Sequence, residues 1–98
     1  MKQPQAIFNK NIFINILKKV KMEISDFIKN FASQFDDTDA SMFKAQTRFR
    51  EELEEWDSLK ALSIIAMVDE EYSVIIKGDD IKNCHTIEDL FHIVKSRK

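Results

Sequence analysis

The stretch of sequence that decides the fold runs from residue 56 to residue 72 and reads WDSLKALSIIAMVDEEY. Most of its apolar residues recur at intervals of three and four, which brings side chains to one face of an α-helix. The predicted face consists of Leu59, Leu62, Ile65, Ala66, Val68 and Tyr72. Asp57 stands just before this pattern, where its carboxylate can accept the free backbone N–H groups of the first turn. The sequence therefore predicts an amphipathic helix from about Asp57 to Tyr72.

Ser58 falls in the first turn of this predicted helix. A serine there is exposed and lies at the positive end of the helix dipole, where a phosphate ester would be stabilised. An aspartate followed by a serine is also an ordinary way to begin a helix, because both residues favour cap positions. Taken alone, the pair does not separate a modification site from a simple cap.

Two further apolar patterns predict helices on either side of this one. Residues 23–35 form the first, with an apolar stripe of Ile24, Phe27, Ile28, Phe31 and Phe35. Thr86 is predicted to cap the last helix, and Asp89 three residues later completes a capping-box pattern. The stripe of that last helix consists of Ile87, Leu90, Phe91 and Val94.

The segments between these helices complete the predicted fold. Residues 36–56 form a long connection with a short helical turn near residues 51–54, and its predicted anchors in the core are Met42, Phe43, Phe49 and Leu53. Residues 74–76 read as an extended segment, residues 77–80 as a turn and residues 80–84 as one short helix. The predicted fold class is all-α: a small antiparallel helical bundle of three main helices plus one short helix, with a long first loop.

Composition narrows the possible functions. Ninety-eight residues make one small domain, and a single glycine excludes glycine-rich phosphate loops. Residues 1–21 hold five lysines and no acid, whereas residues 22–98 carry ten basic and seventeen acidic side chains. An acidic domain of this kind does not resemble a nucleic-acid binder, so we expect no nucleic-acid partner.

The first 21 residues differ from the rest of the chain in composition. They are basic and apolar, yet too short and too interrupted for a transmembrane helix, so we expect no stable membrane insertion. We expect residues 1–21 to be an N-terminal extension that is flexible or lies outside the native start. Residues 22–98 are then the folded domain.

Several short blocks together resemble the acyl carrier protein family, also called phosphopantetheine-binding carrier domains. The resemblance covers residues 23–96 without gaps, and the blocks that carry it are Thr47-Arg48-Phe49, Asp57-Ser58-Leu59, Asp69-Glu70-Glu71-Tyr72, Val74 with Ile76, and Thr86-Ile87-Glu88-Asp89-Leu90. Residues 22–98 are thus expected to be an acyl-carrier-like domain.

The resemblance implies a non-catalytic carrier with a covalent 4′-phosphopantetheine cofactor derived from coenzyme A. It places the attachment point at Ser58, with Asp57 as its cap and recognition residue and Leu59 beside it. The implied partners are a phosphopantetheinyl transferase and enzymes that load, extend or unload acyl or aminoacyl groups. The implied protein is a cytoplasmic monomer, a phosphoprotein of fatty-acid or related lipid metabolism.

The resemblance also places partner docking on the second helix, at Trp56, Lys60, Leu62, Ser63, Asp69 and Glu70. The chain departs from the family pattern here. Lys60 and Ser63 stand where acids are common, Glu55 replaces a usual glycine, and Trp56 is bulky for its position. These departures predict a specialised carrier. We expect generic fatty-acid synthases to be poor partners for acyl transfer, because a basic patch on such an enzyme would repel Lys60.

Other chemistries fit the sequence less well. Ser58 as a catalytic nucleophile would need a base and an oxyanion hole, and no Gly-x-Ser-x-Gly elbow surrounds it. Cys84, His85 and His92 are too few and wrongly spaced for a zinc site, so no metal is expected.

Three functions remain open from sequence. The first is an acyl carrier for a fatty-acid-like, specialised lipid or polyketide pathway. The second is an aminoacyl or peptidyl carrier, for example one for D-alanine. The third is a small helical interaction module that is never modified.

Overall fold

The computed structural model describes residues 22–98, and the expectation for residues 1–21 lies outside the described residues. Within that range the protein is all-helical, which confirms the predicted fold class. The helices are α1 (Ile24–Ala32), a short 3-10 helix (Ala40–Met42), α2 (Phe49–Glu52), α3 (Ser58–Tyr72), α4 (Gly78–Lys82) and α5 (Ile87–Arg97). None of the helices described is long and apolar enough to cross a membrane.

The core lies where α1 packs against both α3 and α5. Phe27 of α1 meets Tyr72 of α3 and Phe91 of α5, with ring centroids 5.7 and 5.6 Å apart. The fully buried side chains include Phe27, Phe31, Ile64, Val68, Leu90 and Val94. Burying each such side chain contributes roughly 1.5–3 kcal/mol, so this cluster stabilises the fold substantially.

The first helix is shorter than predicted, because α1 ends at Ala32 and not at residue 35. The backbone N–H groups of Gln34 and Phe35 donate to the third preceding carbonyls, at 3.2 and 3.0 Å, which tightens the last turn. Phe35 remains buried beyond the helix end and stacks on Phe31 at 5.6 Å. The apolar stripe thus continues after the helical hydrogen bonding has stopped.

The last helix begins as predicted. The Thr86 hydroxyl accepts the Asp89 N–H at 3.1 Å, and the Asp89 carboxylate accepts the N–H groups of Thr86 and His85 at 3.1 and 3.0 Å. The hydrogen bonds from these two N–H groups hold the pKa of Asp89 below its usual value. The capping box is therefore confirmed.

The face of α3 that is buried differs from the predicted one. The buried residues are Ile64, Met67 and Val68, whereas Leu59 and Leu62 are 71% and 61% exposed. This helix carries apolar residues around most of its circumference, so periodicity alone gives no unique inner face. The positions of α1 and α5 decide which residues are covered.

Smaller differences concern the connecting segments. Met42 is 41% exposed, so only Phe43, Phe49 and Leu53 of the four predicted anchors are buried. The short helix begins at Gly78, where a turn was predicted, because the Asp80 carboxylate accepts the Lys77 N–H at 2.9 Å and caps it.

The extended segment between α3 and α4 is confirmed. Ser73 ends α3 in the left-handed conformation, with φ of 56°. Val74 and Ile76 then point into the core and Ile75 is exposed, as expected for an extended chain.

Candidate functional site

The amino end of α3 presents Ser58 to solvent. Asp57 adopts an extended backbone conformation, and its carboxylate accepts the Lys60 N–H at 2.9 Å. This is the predicted N-cap, and Ser58 is accordingly the first helical residue and exposed. The α3 helix is fifteen residues long, so its dipole and free N–H groups favour an anion attached to the Ser58 oxygen.

Glu55 holds the long loop against the start of α3. Its carboxylate accepts the backbone N–H groups of Asp36 and Asp37 at 3.3 and 3.0 Å, and it also accepts the Thr38 hydroxyl. The hydrogen bond from Thr38 is the main cause that holds the pKa of Glu55 below its usual value. Sequence reasoning noted Glu55 only as a departure from a usual glycine, because its partners lie 17 to 19 residues earlier in the chain.

Lys60 is turned toward the same loop. Its ammonium lies 3.9 Å from the Glu55 carboxylate and 5.7 Å from the centre of the Phe35 ring. The side chain is half-buried as a result. Of the predicted docking residues, Lys60 is therefore the one whose charge is already partly compensated within the domain.

Trp56 anchors the start of α3 in the aromatic core. Its ring lies 4.8 Å from Phe49 and stacks nearly parallel on Phe31 at 6.3 Å. The side chain is half-buried, so the indole has a packing role as well as an accessible edge. The bulk that departs from the family pattern is thus accommodated by phenylalanines from α1 and α2.

The remaining predicted docking residues follow the outer side of α3. Ser58, Leu59 and Leu62 are all exposed, and Leu62 lies on the same side of the helix as the other two because it follows Leu59 by three residues and Ser58 by four. Asp69 and Glu70 are exposed near the other end, and Ser63 is half-buried. The structure therefore brings an apolar patch next to Ser58 and separates it from the acidic end of the helix.

A cleft of about 320 Å³ opens beside Ser58. Its lining includes Arg50 of α2, the Trp56–Ser58 segment, Ala61 of α3, and Ile81 and Lys82 of α4. Gly78 also lines it, and a Cβ atom added there would meet no atom within 4 Å. Sequence reasoning did not find this cleft, because three separate helices contribute to it.

The other reactive residue types lie elsewhere. Cys84 is fully buried, and burial raises the pKa of its thiol to about 11. His92 is exposed, with its imidazole 3.9 Å from Glu88. In residues 22–98, no three His, Cys, Asp or Glu side chains are grouped so that they could hold a metal ion.

Comparison with known proteins identifies one family. The sequence model described as the phosphopantetheine attachment site matches residues 26–94. This range includes the Asp57-Ser58-Leu59 block and all five α-helices, except for the first two residues of α1 and the last three of α5. No curated protein and no solved structure shows significant similarity to the chain.

Proposed function

Because this chain belongs to the phosphopantetheine attachment family, whose members carry a covalently attached 4′-phosphopantetheine, we propose that Ser58 is the residue that takes the arm. The observation that carries this proposal is the exposed Ser58 hydroxyl at the capped amino end of α3, inside the matched region. The protein is a phosphopantetheine carrier.

The residues present fit the attachment of this group. In the transfer, the Ser58 oxygen forms a bond to the phosphorus nearest pantetheine, the pyrophosphate bond of coenzyme A breaks, and the nucleotide leaves. Asp57 keeps the helix end ordered through its bond to the Lys60 N–H, and the Ser58 proton passes to a base on the transferase. The backbone N–H groups in the first turn of α3 that have no partner within the helix would favour the negative charge of the attached phosphodiester. Once bound, the arm supplies a thiol that carries cargo as a thioester.

For the pathway, we favour acyl cargo of a fatty-acid-like, specialised lipid or polyketide type. The exposed pair Leu59 and Leu62 beside Ser58 supports this proposal, because it offers synthases an apolar docking surface, with Ser63, Asp69 and Glu70 farther along α3. Trp56 and Lys60 would border that surface. We place this carrier in the cytoplasm as a monomer, with a phosphopantetheinyl transferase and acyl-transferring enzymes as partners.

The test of attachment uses the full chain, coenzyme A and a broad-specificity transferase, with intact mass as the measurement. The wild type should gain one phosphopantetheine and Ser58→Ala none. Ser25→Ala is the matched control, since it removes an exposed hydroxyl from α1, away from the proposed docking surface, and should still be modified. A wild type that gains no mass would favour the unmodified interaction module, and a modified Ser58→Ala would place the arm elsewhere.

The cargo class needs a second measurement on the modified protein. Acyl-activating and amino-acid-adenylating enzymes are offered in parallel, and thioester formation is followed by mass. Loading with acyl groups alone is the expected result. Loading with an amino acid such as D-alanine alone would assign the aminoacyl alternative.

A further inference from the structure

An exposed stripe on the outer side of α3 is left uncovered by residues 22–98. The stripe consists of Leu59, Leu62, Ala66 and Asp69, which follow one another at intervals of three and four residues and are all exposed. Both leucines lie mostly in solvent. Toward the end of α3 the stripe becomes acidic, because Glu70 adds a second exposed carboxylate beside Asp69. A segment that covers this stripe needs carbon surface at one end and cations at the other.

The acidic end of the stripe is not neutralised within the described domain. Neither Asp69 nor Glu70 forms an ion pair with a cation of residues 22–98. The Lys98 ammonium comes near the end of α3, but there it donates to the Tyr72 carbonyl at 3.2 Å. The two carboxylates therefore remain available to cations from outside this range.

The chain enters the described domain beside this acidic end. Phe31, near the end of α1, stacks on Trp56, which lies just before α3. Phe27, near the start of α1, meets Tyr72, the last residue of α3. The two helices are therefore antiparallel. Met22 is buried and lies two residues before α1, so the preceding chain arrives at the end of α3 that carries the two carboxylates.

The sequence of residues 1–21 matches the stripe in composition and in order. Read backwards from Met22, it presents Lys21, Lys19 and Lys18 first. Residues 12–17 come next and comprise five large apolar side chains and one asparagine. The stripe, read backwards from the end of α3, likewise presents charge first and leucines second. At about 1.5 Å per residue, even a helix of ten residues spans about 15 Å, which exceeds the roughly 10 Å between the acidic end and the second leucine.

We propose that residues 1–21 of this chain bind the outer side of α3, with the three lysines nearest Met22 on the acidic end of the stripe and residues 12–17 over the two leucines. The tether gives the segment a millimolar effective concentration, so weak contacts suffice. Because the same side of α3 is the proposed docking surface for synthases, the bound segment is autoinhibitory, and a partner has to displace it. This consequence rests on the proposed function, whereas the contact itself does not.

Crosslinking within the full, unmodified chain measures the contact. Asn15→Cys supplies one thiol in the segment, and a second is placed either on the stripe, by Ala66→Cys, or on α5, by His92→Cys. His92 is exposed, and α5 meets the start of α1 just as α3 does, so a segment that does not bind α3 should reach both positions equally. Cys84 does not interfere, because it is fully buried and burial raises the pKa of its thiol to about 11.

A short bis-maleimide is the probe, and mass distinguishes crosslinked chains from doubly labelled ones. The ratio of crosslinked to doubly labelled chains should be several-fold higher for position 66 than for position 92, and high salt should reduce this difference. Asp69→Asn should lower the ratio at position 66 about 1.5- to 5-fold, the range of one exposed charge pair. Asp79→Asn removes an exposed carboxylate from α4 and should leave the ratio unchanged.

The crosslinked chain also tests the autoinhibition. The arm is attached after crosslinking and verified by mass, because the thioether bonds of the crosslink do not exchange with the thiol of the arm. The chain locked at position 66 should then accept acyl groups from synthases several-fold more slowly than the same variant with both cysteines capped by N-ethylmaleimide. The chain locked at position 92 should accept them at the rate of its own capped form.

The outcomes separate this inference from the proposed function. A chain that never gains the arm overturns the proposed function, and the crosslinking ratios are measured without it. Equal ratios at positions 66 and 92 overturn the binding of residues 1–21 to α3. Crosslinks between two chains in place of crosslinks within one would make a second copy the occupant and overturn it as well. Equal acyl transfer to locked and capped chains overturns the autoinhibition.

Discussion

The Lys60 ammonium lies 3.9 Å from the Glu55 carboxylate, which itself accepts hydrogen bonds from the loop that follows α1. This pair connects the loop to the first turn of α3, where Ser58 is exposed. Two departures from the family pattern thus compensate each other.

Glu55 is predicted to order the loop after α1. Glu55→Ala removes the acceptor of the Asp36 and Asp37 N–H groups, so these two amides should exchange with solvent much faster and the melting temperature should fall by several degrees. Hydrogen exchange and thermal unfolding measure both effects. Glu54→Ala is the matched control, because Glu54 is exposed and neighbours the same site. Equal protection of both amides in the two variants would contradict the assigned role of Glu55.

Lys60 is predicted to contribute little to partner docking. Since its charge faces Glu55, Lys60→Gln should change the rate of acyl transfer from a generic fatty-acid ketosynthase by less than about two-fold. Lys60→Glu should instead lower the melting temperature, because two carboxylates would then face each other. Transfer rates of modified protein at low and high salt provide the measurement. A several-fold, salt-sensitive gain in Lys60→Gln would show that the ammonium reaches the partner.

The orientation of α3 predicts that truncation of Ile64 costs much more stability than truncation of Leu62. Ile64→Ala should destabilise the fold by about 2–5 kcal/mol, since Ile64 is fully buried. Leu62→Ala should change stability by less than about 0.5 kcal/mol, because most of Leu62 is in solvent. Urea unfolding of the two variants measures the difference. Similar losses in both would mean that the inner face of the helix has been misassigned.

Leu62→Ala also reports on docking, because it leaves the fold intact. Removing this exposed side chain should slow acyl transfer by partner synthases several-fold while modification at Ser58 continues. Ile75→Ala is the control, since Ile75 is equally exposed, at 63%, but lies after α3. Equal transfer rates in Leu62→Ala and Ile75→Ala would remove Leu62 from the docking surface.

The ion pair between Asp80 and Arg97 predicts a specific loss of stability in acid. Two hydrogen bonds of 2.8 Å join the carboxylate to the guanidinium, and the bond from Arg97 is the main cause that lowers the pKa of Asp80 from 3.8 to about 2. The contribution of this ion pair to folding stability is fully present above pH 3.8, the pKa of an aspartate in the unfolded chain. It is lost as the pH falls toward 2, the pKa of Asp80 in the folded protein.

The melting temperatures of two matched variants, measured as a function of pH, test this role of the Asp80–Arg97 ion pair. Asp80→Asn should melt several degrees below the wild type at pH 7, and the difference should shrink between pH 4 and pH 2. Asp79→Asn removes an exposed carboxylate from the same turn and should show a smaller difference with no such convergence. A wild-type advantage over Asp80→Asn that stays constant down to pH 2 would contradict the pairing.

The domain boundary yields a further prediction. The described core begins at Met22 and is continuous through Val94. A chain that starts at Met22 should therefore keep its helical circular dichroism and melt within a few degrees of the full chain. A large loss of stability would show that residues 1–21 contribute to the core.

The local features of the site were predictable from short stretches of sequence. Asp57 caps α3 and Thr86 with Asp89 caps α5, because a cap involves residues only two to four positions apart. The stripe of α5 was predicted correctly for the same reason, since its apolar residues occupy one side only. The cleft and the Glu55 contacts were not predictable, because their members are far apart in the chain.

By itself, the sequence determined the all-helical class, the start of each main helix and the exposed serine at the start of α3, since apolar spacing and cap residues within one or two turns specify these features. Only the tertiary structure decided which side of α3 is buried, because that helix is apolar on more than one side and its partners select the covered one. The tertiary structure also paired Lys60 with Glu55 and placed Arg50 and Lys82 beside Ser58. Such contacts depend on how separate segments pack, and no local pattern of residues encodes them.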